Sequence, residues 1–284
     1  MDDSKIFIVG ANGQLGQALQ SKYPTSQKAD LDELDITDKE SVFNYDWSNI
    51  EIILNAAAYT NVDGAETPEG RTAAWKVNST AVSYLAEVAR KNNITLVHIS
   101  TDYVLDGSQN PHKEDESLAP LSVYGASKAA GDIAASSVSK YYILRTSWVI
   151  GEGKNFVRTM IELGKKGIAP AVVHDQVGRL TFTNTLVDAI HHLLITNCQH
   201  GTYNVSNDGE SVSWADITRT IFHIAGFNLE VTNTTTADYY AGKEGIAPRP
   251  LNSTFDLGKI KAAGFEPHNW HEDLGDYIKK EINK

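Results

Sequence analysis

Apolar runs alternate with helical patterns along the first half of the chain. Residues 6–9, 51–58, 94–101 and 141–146 are rich in apolar side chains, as strands buried on both faces of a parallel sheet should be. Between them, residues 71–91 place apolar side chains on a helical period that includes Trp75, which predicts a helix with Trp75 in the core. Repeated alternation of strand and helix over residues 5–150 predicts an α/β fold, a Rossmann-type doubly wound parallel sheet.

The pattern is less regular after residue 148. We expect helices over 155–166, 185–194 and 214–224, and strands over 171–173 and 202–205. Residues 1–146 are predicted to form a Rossmann nucleotide-binding domain, to which the strand and helix around 171–196 return. Residues 147–284 are predicted to form mainly a smaller C-terminal α/β substrate-binding domain.

Composition excludes several classes of protein. A formal net charge of −11 argues against general nucleic-acid binding, which needs a basic surface, but a helix N-terminus can still bind an anionic small ligand. Cys198 is the one cysteine, so an intramolecular disulfide is impossible. No apolar stretch approaches the ~20 residues of a membrane span, and the acidic N-terminus is unlike a signal peptide. The simplest expectation is a cytoplasmic protein with no membrane partner.

Three glycines follow the first predicted strand. Gly10, Gly13 and Gly16 have the spacing G-x-x-G-x-x-G and lead into a predicted helix. Strand, glycine-rich turn and helix are the context of a dinucleotide site. Gly10 would permit the turn, Gly13 would let the backbone approach a pyrophosphate, and Gly16 would let the helix pack on the sheet.

Other candidate cofactor contacts follow from the position of strand ends. Asp30 lies 20 residues after Gly10, where an acidic residue binds the adenosine ribose. Such a carboxylate favours NADH, because it repels the 2′-phosphate of NADPH, although Lys28 leaves the preference open. Ala57 and Ala58 are small residues at the end of a predicted strand, where a ligand can approach closely.

Tyr124 and Lys128 are four residues apart, with only small residues between them. On a helix they share a face, and a phenol near an ammonium group can serve as an acid or base. The pair alone also fits a surface lysine beside a half-buried tyrosine. Thr101 ends the strand predicted over 94–101, so it would lie at the same ligand-binding edge.

Together the glycine turn, Thr101, Tyr124 and Lys128 resemble the extended short-chain dehydrogenase/reductase superfamily. The resemblance implies that Tyr124 is the catalytic acid or base and that Thr101 orients the substrate oxygen. It also implies that Lys128 binds the nicotinamide ribose and lowers the pKa of Tyr124.

Five further blocks resemble the dTDP-4-dehydrorhamnose reductase family. They are residues 55–63, 100–104, 145–149, 175–178 and 249–253. The resemblance implies that NADPH or NADH reduces the C4 ketone of dTDP-4-dehydro-L-rhamnose to form dTDP-L-rhamnose for cell-surface polysaccharide.

The same resemblance implies two sets of binding residues. Besides those already named, the cofactor set is Asn12, Gln14, Leu15, Asp35, Ile36 and Tyr59. The substrate set is Thr60, Val62, Asp102, Trp148, Asn155 and Arg249, together with Thr101. Trp148 could instead be plain core, and Arg249, between two prolines, could instead be a surface clamp.

Two positions depart from the family pattern. Ala18 stands where some members have a glutamate that contributes to a magnesium site at a dimer interface, so we expect a monomer or weak homodimer without structural metal. Leu180 stands before Thr181 where the family usually has proline, which puts the local loop shape in doubt.

Three other functions compete with reduction. A nucleotide-sugar dehydratase of this fold would resemble Thr-Asp-Glu, but the chain has Thr101, Asp102 and Tyr103, so the base carboxylate is missing. A nucleotide-sugar epimerase would use the same tyrosine and lysine. A non-catalytic NADP-binding regulatory subunit is the third alternative, since fold alone does not decide function.

Overall fold

The computed structural model describes residues 1–283 as a mixed α/β protein. Its strands are β1 (Ile6–Val9), β2 (Gln27–Ala29), β3 (Ile52–Asn55), β4 (Thr95–Thr101), β5 (Tyr141–Thr146), β6 (Val149–Ile150), β7 (Ala171–Val173), β8 (Val177–Gly178), β9 (Thr181–Phe182), β10 (Gly201–Asn204), β11 (Val212–Ser213) and β12 (Thr232–Thr234).

The helices connect these strands and cover the sheet. They are α1 (Gln14–Lys22), α2 (Lys39–Asn44), α3 (Pro68–Trp75), α4 (Ala81–Asn92), α5 (Val123–Ser136), α6 (Phe156–Lys165), α7 (Thr183–Ile195), α8 (Trp214–Ala225), α9 (Thr236–Tyr240), α10 (Gly258–Ala262) and α11 (Trp270–Ile282). Short 3₁₀ turns span Asp3–Lys5, Gly64–Glu66 and Asp102–Val104, and a π-helical turn, Lys76–Thr80, joins α3 to α4. None of the helices within residues 1–283 has the length and apolar character needed to cross a membrane.

Six strands form one parallel sheet in the order β10-β5-β4-β3-β1-β2. The chain proceeds outward from β1 to β2 on one side and from β3 to β5 on the other. The order therefore reverses between β1 and β3, and doubly wound sheets bind ligands at the carboxyl ends of the strands at such a point. The predicted parallel α/β fold is confirmed.

The apolar run of β1 is continuous because both faces of the sheet are covered. Ile6 and Ile8 pack into one cluster with side chains of α1 and α7. Phe7 and Val9 point the other way, into a cluster that includes α4. Alternate residues of a strand face opposite sides of the sheet. When both sides are buried, both sets of side chains are apolar, and the sequence shows no alternation.

A third core cluster lies in the second half of the chain. It joins α6, α8 and α11 around buried side chains that include Val157, Ile221 and Trp270. Three two-stranded sheets accompany it, β6 with β9, β7 with β12 and β8 with β11. A division near residue 146 remains a prediction.

One predicted element occupies a different place. Strand β7 was expected to return to the main sheet, but it pairs with β12 in a separate small sheet. Helix α7 packs against α1, as expected of the 171–196 segment. The strand that completes the main sheet comes later, as β10 beside β5.

The prediction that Trp75 lies in the core is wrong, since 42% of its surface is exposed. The inward positions of α3 are Gly70 and Ala74, and Trp75 is next to them on the outward side. The π-helical turn that follows buries Asn78 instead. A single helix over 71–91 was therefore an oversimplification of α3, the π turn and α4.

Candidate active site

The turn after β1 requires glycine at two positions for different reasons. Gly10 has a φ of +76°, a conformation that glycine adopts without strain, and a Cβ there would lie 2.6 Å from the backbone nitrogen of Ala57. A Cβ on Gly16 would lie 2.1 Å from the carbonyl oxygen of Gly10. Helix α1 can approach β1 this closely only because Gly16 has no side chain.

Gly13 leaves the start of α1 open. It is the N-cap of α1 and makes no side-chain capping bond, and a Cβ on it would meet only the Gly10 carbonyl oxygen, at 3.4 Å. The first N–H groups of a helix lack intrahelical partners and favour a negative group. This end of α1 therefore fits the pyrophosphate of a dinucleotide.

A cavity of about 1340 Å³ runs along the carboxyl edge of the main sheet. Most predicted site residues line it. They are Gly10, Asn12, Gly13, Gln14, Leu15, Asp30, Asp35, Ile36, Ala57, Ala58, Thr60, Val62, Thr101, Asp102, Tyr124, Lys128, Trp148 and Arg249.

Three predicted residues are not among those that line the cavity: Gly16, Tyr59 and Asn155. Gly16 lies below the cavity, where it allows α1 to pack closely against the turn after β1. Tyr59 exchanges backbone hydrogen bonds with the side chain of the buried Asn78. Asn155 caps α6 by accepting from the Arg158 N–H at 3.0 Å, and its side-chain amide donates to neighbouring oxygens. The Asn155 side chain thus stabilises the N-terminus of α6, and its predicted contact with the substrate remains a prediction.

Helix α5 brings Tyr124 and Lys128 to the end of β4. Ser122 caps this helix by accepting from the Gly125 N–H at 3.1 Å. The Lys128 ammonium group donates to the Ile99 carbonyl oxygen of β4 at 2.6 Å. Thr101 lies close enough to Tyr124 to influence the pKa of its phenol, and all three predicted catalytic residues line the same cavity.

Burial determines the protonation of these groups. It raises the pKa of the Tyr124 phenol, the Asp102 carboxylate adds to that rise, and the nearby Thr101 hydroxyl opposes it. Burial also lowers the pKa of Lys128 to about 8, which Asp132 opposes. Lys128 is not among the groups that shift the pKa of Tyr124 here, so its lowering of that pKa remains a prediction. Tyr124 is therefore a neutral phenol near pH 7, the form that can donate a proton.

Asp102 links the catalytic strand to the C-terminal part of the chain. Its carboxylate accepts from the Ser253 hydroxyl at 2.5 Å and from the Thr101 hydroxyl at 2.9 Å. Burial raises the pKa of Asp102, while these hydrogen bonds oppose the rise. Sequence reasoning assigned no role to Ser253, although it belongs to the quoted 249–253 block.

Asp30 is held rigidly at the end of β2. Its two carboxylate oxygens accept from the N–H groups of Asn12 and Leu31, each at 2.9 Å. Lys28 donates to the Gln20 side chain at 2.7 Å and is not among the residues that line the cavity. Lys28, which left the cofactor preference open, therefore lies outside the site.

Arg249 is fixed by contacts that sequence reasoning missed. Its guanidinium group donates to the Asp63 carboxylate at 2.8 Å and to the Ala247 carbonyl oxygen at 2.7 Å. It lies 4.7 Å from the centre of the Tyr240 ring. Asp63 was inside the quoted 55–63 block, but only the fold shows that it meets Arg249.

Trp148 lines the cavity just after β5 and stacks on Trp214, with ring centroids 3.8 Å apart. Trp214 also lines the cavity, and sequence reasoning gave it no role. The helical pattern of 214–224 was visible in the sequence, but a partner 66 positions away in the chain was not. Among residues 1–283, no cluster of three or more histidine, cysteine or carboxylate side chains suits a metal ion.

Comparison with known proteins agrees with this site. Residues 4–283 match the RmlD substrate binding domain. The chain belongs to this family. A dTDP-4-dehydrorhamnose reductase from Aggregatibacter actinomycetemcomitans is 39% identical, over 95% of this chain and 97% of the relative.

Two more relatives bear on substrate and cofactor. A probable dTDP-4,6-dihydroxy-2-methyloxan-3-one 4-ketoreductase from Streptomyces antibioticus is 36% identical, over 94% of this chain and 92% of that protein. The crystal structure of dTDP-4-dehydrorhamnose reductase from Bacillus anthracis, in complex with NADP, is 36% identical with a TM-score of 0.89, covering 97% of this chain and 98% of that chain.

Proposed function

We propose that this protein reduces the C4 ketone of dTDP-4-dehydro-L-rhamnose with NADPH or NADH, the last step of dTDP-L-rhamnose formation. The observation that carries the proposal is the meeting of Thr101, Tyr124 and Lys128 in one cavity with the glycine turn. Membership of the family and the named activity of the relatives support the substrate.

The chain supplies position and a proton. A bound nicotinamide cofactor would supply the hydride, and the turn around Gly13 with Asp30 would hold its nucleotide half. The neutral Tyr124 phenol donates its proton to the alkoxide oxygen that develops on the substrate. Thr101 would orient that oxygen, and Lys128 would hold the nicotinamide ribose.

The position after Asp102 argues against dehydration. Tyr103 stands there, and its ring meets that of Tyr124 edge to face at 5.4 Å. Burial raises the pKa of Tyr103 above its ordinary value, so this phenol stays neutral and is no base for proton removal from carbon. Reduction needs no such base: a bound nicotinamide would supply the hydride, and Tyr124 supplies the proton.

The deciding experiment mixes the purified protein with dTDP-4-dehydrorhamnose and follows the absorbance of the reduced nicotinamide, with NADPH and with NADH in separate reactions. We expect oxidation of at least one cofactor and formation of dTDP-L-rhamnose. If neither NADPH nor NADH is oxidised, the proposal is refuted. The related dTDP-4-keto sugar named for the Streptomyces antibioticus relative serves as the second substrate, and faster turnover with it would reassign the sugar.

Two competing functions give different results in the same assay. An epimerase retains its cofactor through purification and consumes none. A regulatory subunit binds the cofactor without turnover. Both outcomes are visible in the absorbance of the protein before and after addition of the sugar.

We expect NADH to bind more tightly than NADPH. Asp30 presents a carboxylate where the ribose lies, and among residues 1–283 the lysine and arginine side chains that line the cavity are Lys128 and Arg249. Lys128 is bonded to β4, three strands from β2, or about 14 Å at a spacing of ~4.8 Å per strand. Within the described part of the chain, no cavity-lining lysine or arginine is therefore known to lie beside Asp30 to receive a 2′-phosphate.

Fluorescence titration with each cofactor measures this preference. Asp30→Asn should improve the affinity for NADPH relative to NADH about tenfold, which corresponds to ~1.4 kcal/mol. Asp32→Asn is the matched control, since Asp32 is exposed and is not among the cavity-lining residues. Tighter binding of NADPH by the natural protein, or an unchanged ratio in Asp30→Asn, would contradict the assignment.

We further propose a monomer or weak homodimer that needs no structural magnesium, because Ala18 supplies no carboxylate where some members of the family have a glutamate. Sedimentation with magnesium and with a chelator should give the same mass. A chelator-dependent change of mass would refute this proposal. A cytoplasmic location remains a prediction.

A further inference from the structure

The backbone of Trp148 is in a conformation that a bulky residue rarely adopts. Its φ is +51°, in the left-handed region where a large side chain is strained. Such strain persists only where the surroundings hold it, and it is concentrated at functional sites. Trp148 lines the cavity, so the contacts that hold it bear on ligand binding.

Two neighbours hold the Trp148 indole. The Trp214 ring lies nearly parallel to it, at 3.8 Å between centroids and 19° between planes. On Gly178, an added Cβ would lie 3.1 Å from the Cε2 and Cζ2 atoms of the Trp148 ring, closer than ordinary contact. In addition, the Thr181 N–H donates to the Trp148 carbonyl oxygen at 3.1 Å.

Gly178 and Trp214 belong to one hydrogen-bonded unit. Strands β8 and β11 pair in antiparallel register, with Val212 opposite Gly178. Trp214 follows directly as the first residue of α8. Ser213 and Asp216 cap the N-terminus of this helix with reciprocal hydrogen bonds. The edge of the Trp148 indole packs against Gly178 of the small sheet, and its face packs on the Trp214 ring at the start of α8.

The position of Trp148 indicates which part of the ligand it meets. Thr146 of β5 pairs in register with Thr101 of β4, and Trp148 comes two residues later. It therefore lies on the catalytic side of the cavity. Asp30 and β2 are at the opposite edge of the sheet, so this wall faces the sugar ring that carries the ketone and not the adenosine half of the cofactor.

We propose that Trp214 is a positioning residue for the sugar substrate: by stacking on Trp148 it holds that indole against the apolar face of the sugar ring. The substrate part of the inference rests on the proposed function. Trp214 acts through Trp148, so its removal weakens sugar binding and leaves cofactor binding unchanged. The aromatic stack is worth a factor of about 2 to 10 in binding.

Kinetics of single variants and one double variant test the proposal. Trp214→Leu should raise the KM for dTDP-4-dehydrorhamnose by about 2- to 10-fold with an unchanged dissociation constant for NADH, and Trp214→Phe should restore most of the affinity. Trp75→Leu, the same change at an exposed tryptophan, is the matched control. In a Trp148→Phe background, Trp214→Leu should have little further effect, because residues that act together are not additive.

A substrate-independent measurement separates this proposal from the proposed function. Two indoles stacked this closely couple their electronic transitions, so the far-ultraviolet circular dichroism should show a couplet that both Trp148→Phe and Trp214→Leu remove and Trp75→Leu retains. A couplet without turnover of the sugar would refute the proposed function and support the stacked arrangement. No couplet in the natural protein, an equal loss of NADH affinity in Trp214→Leu, or fully additive effects in the double variant would each overturn the positioning role.

Discussion

Replacing Tyr124 with phenylalanine is expected to lower kcat by about 10²- to 10⁴-fold, the usual contribution of a positioned proton donor. Phenylalanine keeps the ring and its edge-to-face packing on Tyr103, but it removes the hydroxyl that carries the proton. The dissociation constant for NADH, measured by fluorescence titration, should stay nearly the same. Because kcat and kcat/KM should fall together, the loss would lie in the transition state.

Tyr142→Phe is the control for loss of a buried hydroxyl. The Tyr142 hydroxyl donates to the Cys198 carbonyl oxygen at 2.6 Å and is not among the cavity-lining groups. Its removal should lower the free energy of unfolding by about 1 kcal/mol and leave kcat unchanged. If Tyr124→Phe turned over as fast as this control, Tyr124 would not be the proton donor.

The second large effect is on stability and concerns Gly16. Gly16→Ala places a Cβ 2.1 Å from the Gly10 carbonyl oxygen, which is backbone and cannot rotate away. Helix α1 must then move off β1, and we expect a loss of about 3 kcal/mol in the free energy of unfolding, at the upper end for overpacking. The displaced helix would also open the turn, so cofactor affinity should fall with it.

Gly275→Ala makes the same chemical change without the clash. Gly275 lies inside α11, and an added Cβ there has nothing within 4 Å. Alanine in place of a helical glycine should stabilise the protein by about 0.5–1 kcal/mol. Urea unfolding of both variants measures the difference, and equal midpoints for the two would show that the close approach of α1 to β1 is not needed.

The burial of the catalytic pair has a consequence for pH dependence. Burial raises the pKa of Tyr124 and lowers that of Lys128. The phenol therefore keeps its proton throughout the neutral range, while the ammonium group begins to lose its proton toward pH 8. The chain supplies a protonated acid for reduction without help from a lowered phenol pKa.

The sequence by itself determined the frame of this protein. The apolar run of β1 requires a sheet covered on both faces, and the glycine turn after it requires a helix that approaches closely. Four-residue spacing requires Tyr124 and Lys128 to share one face of α5. Each of these is a local rule, set by the period of a strand or helix or by the absence of a Cβ, so it can be derived without the rest of the chain.

Only the tertiary structure decided which distant groups meet. Arg249 reaches Asp63 across 186 positions of sequence, Trp148 is held by Trp214, and Lys28 turns to Gln20 and away from the cavity. The pKa of Tyr124 likewise depends on how deeply the whole fold buries it. Local periodicity specifies which face of an element is buried, whereas contacts between elements and the desolvation of a charge depend on the path of the complete chain.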